Sequence, residues 1–224
     1  MVGPSRPGVN SATTDLEADL CAAVGGDVRF DAVTRQMYST DASIYRIDPV
    51  GVVMPRDAAD VQATLEIAGK NGVAVLPRGG GTGLSGQTVN HAVVLDFSRY
   101  MFNVQEINAE EHWVRTQPGI TIDELNRRVR STGLFFTPDP STSNRANIGG
   151  AMGNNSCGTH SLIYGITVDH VREMDVTLSD GSQTVFCKVE GAALDSRLAQ
   201  SGLEGDISRG VRDISPRAAG AVEE

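Results

Sequence analysis

The sequence predicts an α+β fold, with a small parallel β–α–β unit and a second, mainly antiparallel sheet with helices. Three consecutive segments predict the parallel unit: an apolar run at residues 51–55, a helical pattern opened by Asp57, and an apolar run at residues 73–76. Two apolar runs that flank Asp180-Gly181, a dipeptide typical of hairpin turns, predict the antiparallel part. The parallel unit therefore lies in the first half of the chain and a hairpin lies near its end.

The elements of the first half follow from apolar spacing and from helix caps. Residues 1–10 are rich in Pro and Gly and are expected to fray. A capping box of Thr14 and Glu17 then predicts a helix that ends at Gly25-Gly26, with an apolar face of Leu16, Leu20 and Val24. Residues 28–47 predict a short strand and then an irregular polar segment. The helix after Asp57 is expected to end at Gly72.

The second half alternates strands, a helix and loops. Strands are expected at residues 92–97, 102–107 and 112–117. Thr121 and Glu124 form a second capping box, which predicts a helix that ends at Gly133. Residues 134–147 have a loop-forming composition, residues 171–178 and 184–189 are the predicted hairpin strands, and one or two polar helices follow Gly191.

Charge and composition exclude several classes of protein. The length of 224 residues corresponds to about one to two domains. A net charge of −9 argues against a nucleic-acid partner, which would need clustered Lys and Arg. No stretch approaches the roughly 18 apolar residues of a membrane span, and residues 1–20 lack the apolar core of a secretory signal. We therefore expect no transmembrane segment and a cytoplasmic location.

The cysteines and histidines do not predict a metal site. Cys21, Cys157 and Cys187 are odd in number, widely spaced and without a CxxC pair, which excludes a zinc or iron–sulfur site built by cysteine spacing in this chain. Such a pattern suits a reducing compartment. The histidines show neither HxxxH nor HExxH spacing and are interpreted as structural: His91, His112, His160 and His170.

The motif with most chemical meaning is PRGGGTGLSGQ at residues 77–87. Glycines at this density let the backbone adopt φ > 0 and let successive N–H groups converge on an anion. A mobile linker is the alternative, although the apolar strand that leads into the motif argues against it. The motif is therefore interpreted as a phosphate-binding loop.

Two well-known phosphate-binding devices do not match this loop. A P-loop needs GxxxxGK[ST], which the chain lacks. Gly81, Gly83 and Gly86 match the letters of the Rossmann GxGxxG motif, but a strand pattern follows where the motif requires a helix. The phosphate therefore belongs to a different kind of site.

Three blocks together resemble one family. The segments PRGGGTGLSGQ, PDPSTSNRANIGG and GNNSCGTHSLIYGITVDHV, in this order and spacing, resemble the FAD-binding domain of the p-cresol methylhydroxylase and vanillyl-alcohol oxidase type. The resemblance covers residues 40–190 and implies FAD as cofactor in a two-subdomain FAD-binding fold. It implies a division into an N-terminal helical segment, residues 1–40, and an FAD-binding domain, residues 41–224, expected to be truncated at its C-terminus.

The resemblance also implies a set of cofactor-binding residues. The first group would surround the pyrophosphate with main-chain N–H groups: Arg78, Gly79, Gly80, Gly81, Thr82, Gly83 and Leu84. A second wall of the cleft would be formed by Pro138, Asp139 and Ser141. The remaining residues would lie near the flavin, the ribityl chain and the adenine end: Ile148, Gly149, Gly150, Asn154, Asn155, Ser156, Gly158, Tyr164, Gly165 and Val171.

The mode of FAD attachment follows from one departure from the family pattern. Some relatives bind FAD covalently through a His or Cys near the glycine loop, but residues 79–83 read GGGTG, so non-covalent FAD is expected. Cys157 in the second block is interpreted as an inert thiol. His160 is the first choice among the histidines for a position near the flavin.

Within the family, the chain most resembles D-lactate dehydrogenase and glycolate-oxidase flavoproteins, and NNSCGTHSLIYG resembles members with an iron–sulfur domain. This implies oxidation of a D-2-hydroxy acid (D-lactate, glycolate or 2-hydroxyglutarate class), with an iron–sulfur domain or subunit as electron acceptor. No catalytic residue is assigned, because relatives carry their substrate residues mainly in a further C-terminal domain. Three alternatives stay open: a truncated non-catalytic flavin module, a UDP-sugar reductase that uses NADPH, and a regulatory nucleotide-binding domain.

Overall fold

The computed structural model describes residues 11–222, so the fraying expected for residues 1–10 lies outside the described part. Two compact units divide the chain, one ending at Val171 and the other beginning at Arg172. The division at residue 40 stays a prediction.

A four-stranded sheet forms the centre of the first unit. Its order is β1-β2-β4-β3, with β1 at Asp27–Arg29, β2 at Gly51–Met54, β3 at Val75–Arg78 and β4 at Val93–Asp96. β4 lies between β2 and β3 and is parallel to both, whereas β1 is antiparallel to β2. The predicted parallel unit is confirmed, although β3 begins two residues after the apolar run does and continues through Arg78.

Two long helices supply the first hydrophobic core. α1 (Ser11–Ala23) and α3 (Ala58–Lys70) contribute to a cluster with the sheet whose buried members are Leu16, Leu20, Val24, Val53, Val61, Val93, Leu95 and Met101. The predicted face of α1 is confirmed, but the expected cap at Thr14 is wrong, because the helix already begins at Ser11. The Asp57 cap of α3 is confirmed, since its side chain accepts the N–H groups of Ala59 and Asp60.

A short helix, α2 (Ala32–Met37), lies within the segment expected to be a strand and irregular chain. The carboxylate of Asp31 caps it by accepting the N–H of Thr34. α2 has no buried residue, so it shows none of the apolar periodicity from which helices are predicted.

The next part of the first unit combines an antiparallel pair with a capped helix. β5 (Val104–Asn108) pairs with β6 (Trp113–Thr116). α4 (Ile122–Val129) begins where Thr121 Oγ1 accepts the Glu124 N–H, and a 3₁₀ turn then ends at Gly133 with φ 74°. The Glu124 carboxylate pairs with Arg127 and Arg128. Of the two hydrogen bonds of the predicted capping box, the described contacts include the one that Thr121 accepts.

Residues 134–147 contain no helix or strand, as expected, and short helices follow in the second glycine block. α5 (Ile148–Asn154) and α6 (Ser161–Tyr164) precede a 3₁₀ turn at Thr167–His170. α5 packs Ile148 and Ala151 into a second core cluster with Ile120, Ile122, Leu125, Val129 and Ala146. Sequence reasoning missed α5 because three of its seven residues are glycine, which disfavours helices by about 1 kcal/mol each.

The second unit contains the predicted hairpin and the polar helices. β7 (Glu173–Thr177) and β8 (Gln183–Cys187) are antiparallel, with Gly181 at φ 85° in the turn. α7 (Ala192–Leu198) and α8 (Leu203–Val222) follow. Besides the β1–β2 pair, the antiparallel strands form two two-stranded ladders, β5–β6 and β7–β8, and the α+β class is confirmed.

Asp60 offers a test of this packing, because its carboxylate on α3 holds two connecting segments, the one after α1 and the one after β2. It is 7% exposed and accepts the N–H of Gly25 and the N–H of Arg56, each at 2.8 Å. In Asp60→Asn an amide donor faces one of these N–H groups, so we expect urea denaturation to show a loss of about 1–3 kcal/mol in the free energy of unfolding. Asp57→Asn is the matched control, since Asn caps helices as well as Asp does. Equal midpoints for Asp60→Asn and the wild type would contradict this role.

Candidate cofactor site

The glycine loop after β3 lies against residues 145–147. A Cβ built on Gly80 would lie 2.1 Å from the carbonyl oxygen of Arg145, and one on Gly79 would lie 2.8 Å from Asn147 Oδ1. Gly81 adopts φ 63°, a conformation that side chains disfavour. The first two glycines are therefore required by close packing and the third by backbone conformation.

The amide groups of this loop are available to a ligand. Among the hydrogen bonds made by residues 11–222, the N–H groups of Gly79, Gly80, Gly81, Thr82, Gly83 and Leu84 have no protein acceptor. Backbone donors in folded proteins are nearly always paired, with protein, water or a ligand. A run of free amides beside φ > 0 glycines is the arrangement that binds phosphate groups.

Arg78 supports the loop with its side chain. Its guanidinium donates to the carbonyl oxygens of Tyr38 (3.3 Å), Thr40 (2.8 Å) and Thr88 (3.0 Å), and it lies 5.3 Å from the centroid of the Tyr38 ring. A Cβ on Gly81 would lie 2.8 Å from Arg78 Nη2, so the guanidinium also contacts the loop. Arg78 therefore holds the backbone around the loop in addition to any contact of its own main chain with a ligand.

Residues 38–45 surround the loop, a role that sequence reasoning missed. Ala42 N–H donates to the Gly81 carbonyl at 3.0 Å, and Thr88 Oγ1 donates to Asp41 Oδ2 at 2.8 Å. The ring of Tyr45 lies where a Cβ on Gly86 would be, at 2.4 Å. These residues were interpreted as irregular chain because they have no hydrophobic period. The available sequence signal was their content of short polar side chains, which make local turns.

Asn147 is a second residue that the sequence did not single out. Its Nδ2 donates to the Gly119 carbonyl, while its buried Oδ1 has no donor among the described residues. A buried acceptor left without a donor costs about 1–3 kcal/mol. This acceptor lies beside the free amides of Gly79 and Gly80, so the site is polar on both sides and fits a ligand that carries anionic oxygens and hydroxyl groups.

α5 places its glycines and asparagines at different points of the site. Gly149 packs on Pro118, and a Cβ there would lie 2.6 Å from Pro118 Cβ, whereas Gly150 has no neighbouring atom within 4 Å of its Cβ position. Asn154 Oδ1 accepts Gln87 Nε2 at 2.9 Å and so joins α5 to the glycine loop. Asn155 ends the helix at φ 47° and accepts the Val168 N–H at 2.9 Å.

The second wall meets the second glycine block at Asp139. Its carboxylate accepts the backbone N–H of His160 at 3.0 Å and lies 2.6 Å from His160 Nδ1. The backbone hydrogen bond from His160, followed by the contacts of its ring, holds the pKa of Asp139 below its usual value. A Cβ on Gly158 would lie 2.2 Å from the Asp139 carbonyl oxygen, so this approach also requires glycine.

Two further contacts join the same segments. The rings of Phe135 and Tyr164 meet edge to face at 6.2 Å, and His170 Nε2 lies 2.9 Å from both Thr137 Oγ1 and the Tyr164 carbonyl oxygen. Gly165 follows at φ 88°. Residues 135–139 therefore run beside residues 158–170.

The structure thus brings the three sequence blocks together within the first unit. All of the individual cofactor-binding assignments stay predictions. Of the assigned residues, Ile148 and Pro138 are buried, whereas Ser141 and Leu84 are exposed. Within residues 11–222, no cluster of His, Cys, Asp and Glu could hold a metal ion, and no helix is long and apolar enough to cross a membrane.

A family model described as "FAD binding domain" matches residues 49–186, more than half of the chain and all three blocks. The chain belongs to the FAD-binding domain family. The free amides, the glycine contacts and the buried Asn147 acceptor fit this cofactor, whose pyrophosphate needs donors and whose ribityl chain carries hydroxyl groups. FAD is therefore the cofactor of the site.

The curated relatives are larger flavoproteins. The chain is 40% identical to a D-2-hydroxyglutarate dehydrogenase of Pseudomonas putida over 93% of its own length and 21% of the relative's. It is 36% identical to the glycolate oxidase subunit GlcD of Bacillus subtilis over 75% of its length and 37% of the relative's. The chain thus spans about a fifth to two fifths of these relatives.

Solved structures share the fold. p-Cresol methylhydroxylase with substrate bound has a TM-score of 0.71 at 18% identity, over 87% of this chain and 42% of that one. An alkyldihydroxyacetonephosphate synthase has a TM-score of 0.68 at 22% identity, over 86% of this chain and 37% of that one. The fold class implied by the three sequence blocks is confirmed.

Gly80→Ala tests the loop geometry. Because the new methyl group would overlap the Arg145 carbonyl, the loop must move, and we expect FAD affinity to fall at least about tenfold, a change of about 1.4 kcal/mol. Quenching of flavin fluorescence on titration measures this change. Gly69→Ala on α3 is the control, since a Cβ there meets no atom within 4 Å, and it should retain wild-type affinity. Unchanged affinity in Gly80→Ala would refute the loop assignment.

Arg78→Lys tests the support of the loop. A lysine ammonium cannot reproduce the guanidinium fork that reaches three carbonyl oxygens, so we expect about a tenfold weaker FAD complex. Arg46→Lys serves as control, because Arg46 is largely exposed and contacts Gln36 and Asp48 outside the loop. Equal FAD affinity for Arg78→Lys and wild type in the same titration would show that the guanidinium contacts are dispensable.

Proposed function

We propose that the chain is the FAD-binding part of a flavin-dependent dehydrogenase that oxidises a D-2-hydroxy acid to the 2-oxo acid. The observation that carries the proposal is the similarity to enzymes whose names give related substrates. D-2-hydroxyglutarate, glycolate and D-lactate, named in these relatives, are all 2-hydroxy acids. The three sequence blocks that implied this substrate class lie inside the region of similarity.

The role of this chain in the reaction is to bind and orient the cofactor. When bound, FAD would supply the two-electron oxidant: the hydride from C2 of the hydroxy acid would pass to N5, and the hydroxyl proton would pass to a base that is not among the residues assigned here. The amides of residues 79–84 would hold the pyrophosphate, and each charge-assisted contact of this kind contributes about 1.5–3 kcal/mol. The Asn147 acceptor would receive a cofactor donor, and the open Gly150 would leave room for a flat ring system.

We propose non-covalent attachment of FAD. The loop residues nearest the proposed pyrophosphate site, 79–83, contain neither His nor Cys. Cys157, in the second glycine block, is a free and exposed thiol. Cys21 and Cys187 are free and exposed as well, and three free thiols support the cytoplasmic location that we propose. Acid precipitation of the loaded protein should leave the yellow colour in the supernatant.

Electrons would pass from the flavin to an iron–sulfur domain or subunit, as the resemblance of NNSCGTHSLIYG implies. Such a partner suits a dehydrogenase, because the two electrons taken from the alcohol can leave the flavin one at a time.

The function is tested in two steps. The purified chain should bind FAD on titration. Because relatives carry their substrate residues mainly in a further C-terminal domain, a fall in visible flavin absorbance on addition of D-2-hydroxyglutarate or D-lactate is expected from the anaerobic FAD complex that also contains such a domain, and not from this chain alone. The L enantiomers are the matched controls and should leave the absorbance unchanged. A complex that no hydroxy acid bleaches would identify a flavin-binding module without catalysis, and bleaching by NADPH alone would favour the UDP-sugar reductase. Failure of the folded chain to bind FAD would exclude all three.

A further inference from the structure

A bridge between Asp139 and His160 joins two segments of the candidate FAD site, residues 135–139 and residues 158–170. Oδ1 of Asp139 accepts the His160 backbone N–H at 3.0 Å, and Oδ2 lies 2.6 Å from Nδ1 of the same histidine. The two residues are 21 positions apart, so the bridge ties together segments that are distant in sequence. We call this pair the Asp139–His160 bridge.

The geometry of the bridge determines which ring nitrogen of His160 donates a hydrogen bond to Asp139. Each carboxylate oxygen faces one nitrogen of His160, and a carboxylate beside Nδ1 requires a proton on that atom. Nε2 has no hydrogen bond among the described residues. The histidine is thus held in one orientation and one tautomer by a single carboxylate.

The bridge positions the two segments more than it stabilises the folded unit. The side chains of His160 and Asp139 are 58% and 36% exposed, and exposed ion pairs contribute little to folding. Other contacts between the same segments, such as Phe135 with Tyr164 and Thr137 with His170, hold without it. Loss of the bridge should therefore weaken the contact between the two segments without unfolding the unit.

Both joined segments carry residues assigned to the cofactor. Pro138 and Asp139 lie on one side, and Gly158, Tyr164 and Gly165 lie on the other. Gly158 packs so closely on the Asp139 backbone that no side chain fits between them. The two segments therefore form one continuous wall of the proposed site, and a cofactor that lies against this wall is held less firmly when the segments separate.

We propose that the Asp139–His160 bridge is a positioning device that holds these two segments together as one wall of the FAD site and thereby slows the release of FAD. The proposal rests on the proposed function, because it requires FAD in this site. Neither residue needs to touch the reacting atoms. The bridge acts on the dissociation rate, because the segments assigned to contact FAD move more freely once the bridge is lost.

The test is a double-mutant cycle on the rate of FAD release. The loaded 224-residue chain is mixed with a flavin-capturing apoprotein in excess, and the return of flavin fluorescence or absorbance is followed in time. His160→Ala should speed release about fivefold and Asp139→Ala about tenfold, because the latter also loses the backbone contact. The double variant should release FAD no faster than Asp139→Ala, since both substitutions remove one shared interaction.

Rescue separates positioning from a general structural role. His160→Gln keeps a side-chain N–H donor for the carboxylate and should restore the release rate to within about twofold of wild type. The control is Asp31→Ala, which removes another exposed carboxylate that accepts one backbone and one side-chain donor, both from Thr34. It should lower stability slightly and leave FAD release unchanged.

The outcomes decide between this proposal and the cofactor site on which it rests. Wild-type release rates in His160→Ala, additive effects in the double variant, or no rescue by Gln would overturn the bridge while FAD binding stands. A wild-type chain that binds no FAD would overturn the proposed function and the bridge with it. If Asp139→Ala fails to fold by circular dichroism, the comparison of His160→Ala with His160→Gln decides alone.

Discussion

The close approach of two backbone segments, residues 79–80 and 145–147, is the constraint on which the cofactor site depends. A methyl group at either glycine would overlap atoms of Arg145 or Asn147, so only glycine permits the contact. That contact brings a strand end of the parallel sheet to the start of α5, and it leaves the loop amides free of protein acceptors. Arg78 then fixes the loop from the other side through three backbone carbonyls.

The same arrangement explains how an acidic chain can bind an anionic cofactor. The net charge is −9, but the loop itself presents neutral amides, and the guanidinium of Arg78 lies next to Gly81. Because the interaction of a phosphate with nearby dipoles is stronger than its repulsion from distant, solvent-screened carboxylates, local geometry outweighs the overall charge. Lysine is not needed in the loop for this reason.

Local signals were sufficient to predict the elements that bury apolar residues or carry standard caps. The β–α–β unit, the Asp57 cap, the Thr121 cap and the Asp180-Gly181 hairpin follow from period, capping and turn chemistry. α2 and α5 were missed because one buries nothing and the other contains glycines that serve tertiary contacts. For the site, glycine density and block order predicted the ligand class, whereas the roles of the Arg78 side chain and Asn147 depend on partners 10 to 40 positions away.

The position of β4 between β2 and β3 has a consequence for the order of folding. β2 and β3 share no edge, so neither can join a parallel pair until residues 93–96 are present. The loop that follows β3 also packs on residues 145–147, and the contact between Asp139 and His160 forms only when residues 158–170 are in place. Parallel pairing and contacts of this sequence separation form slowly, because loop closure must precede them. The cofactor-binding surface therefore depends on contacts that are distant in sequence, and it is complete only when all of these segments have come together.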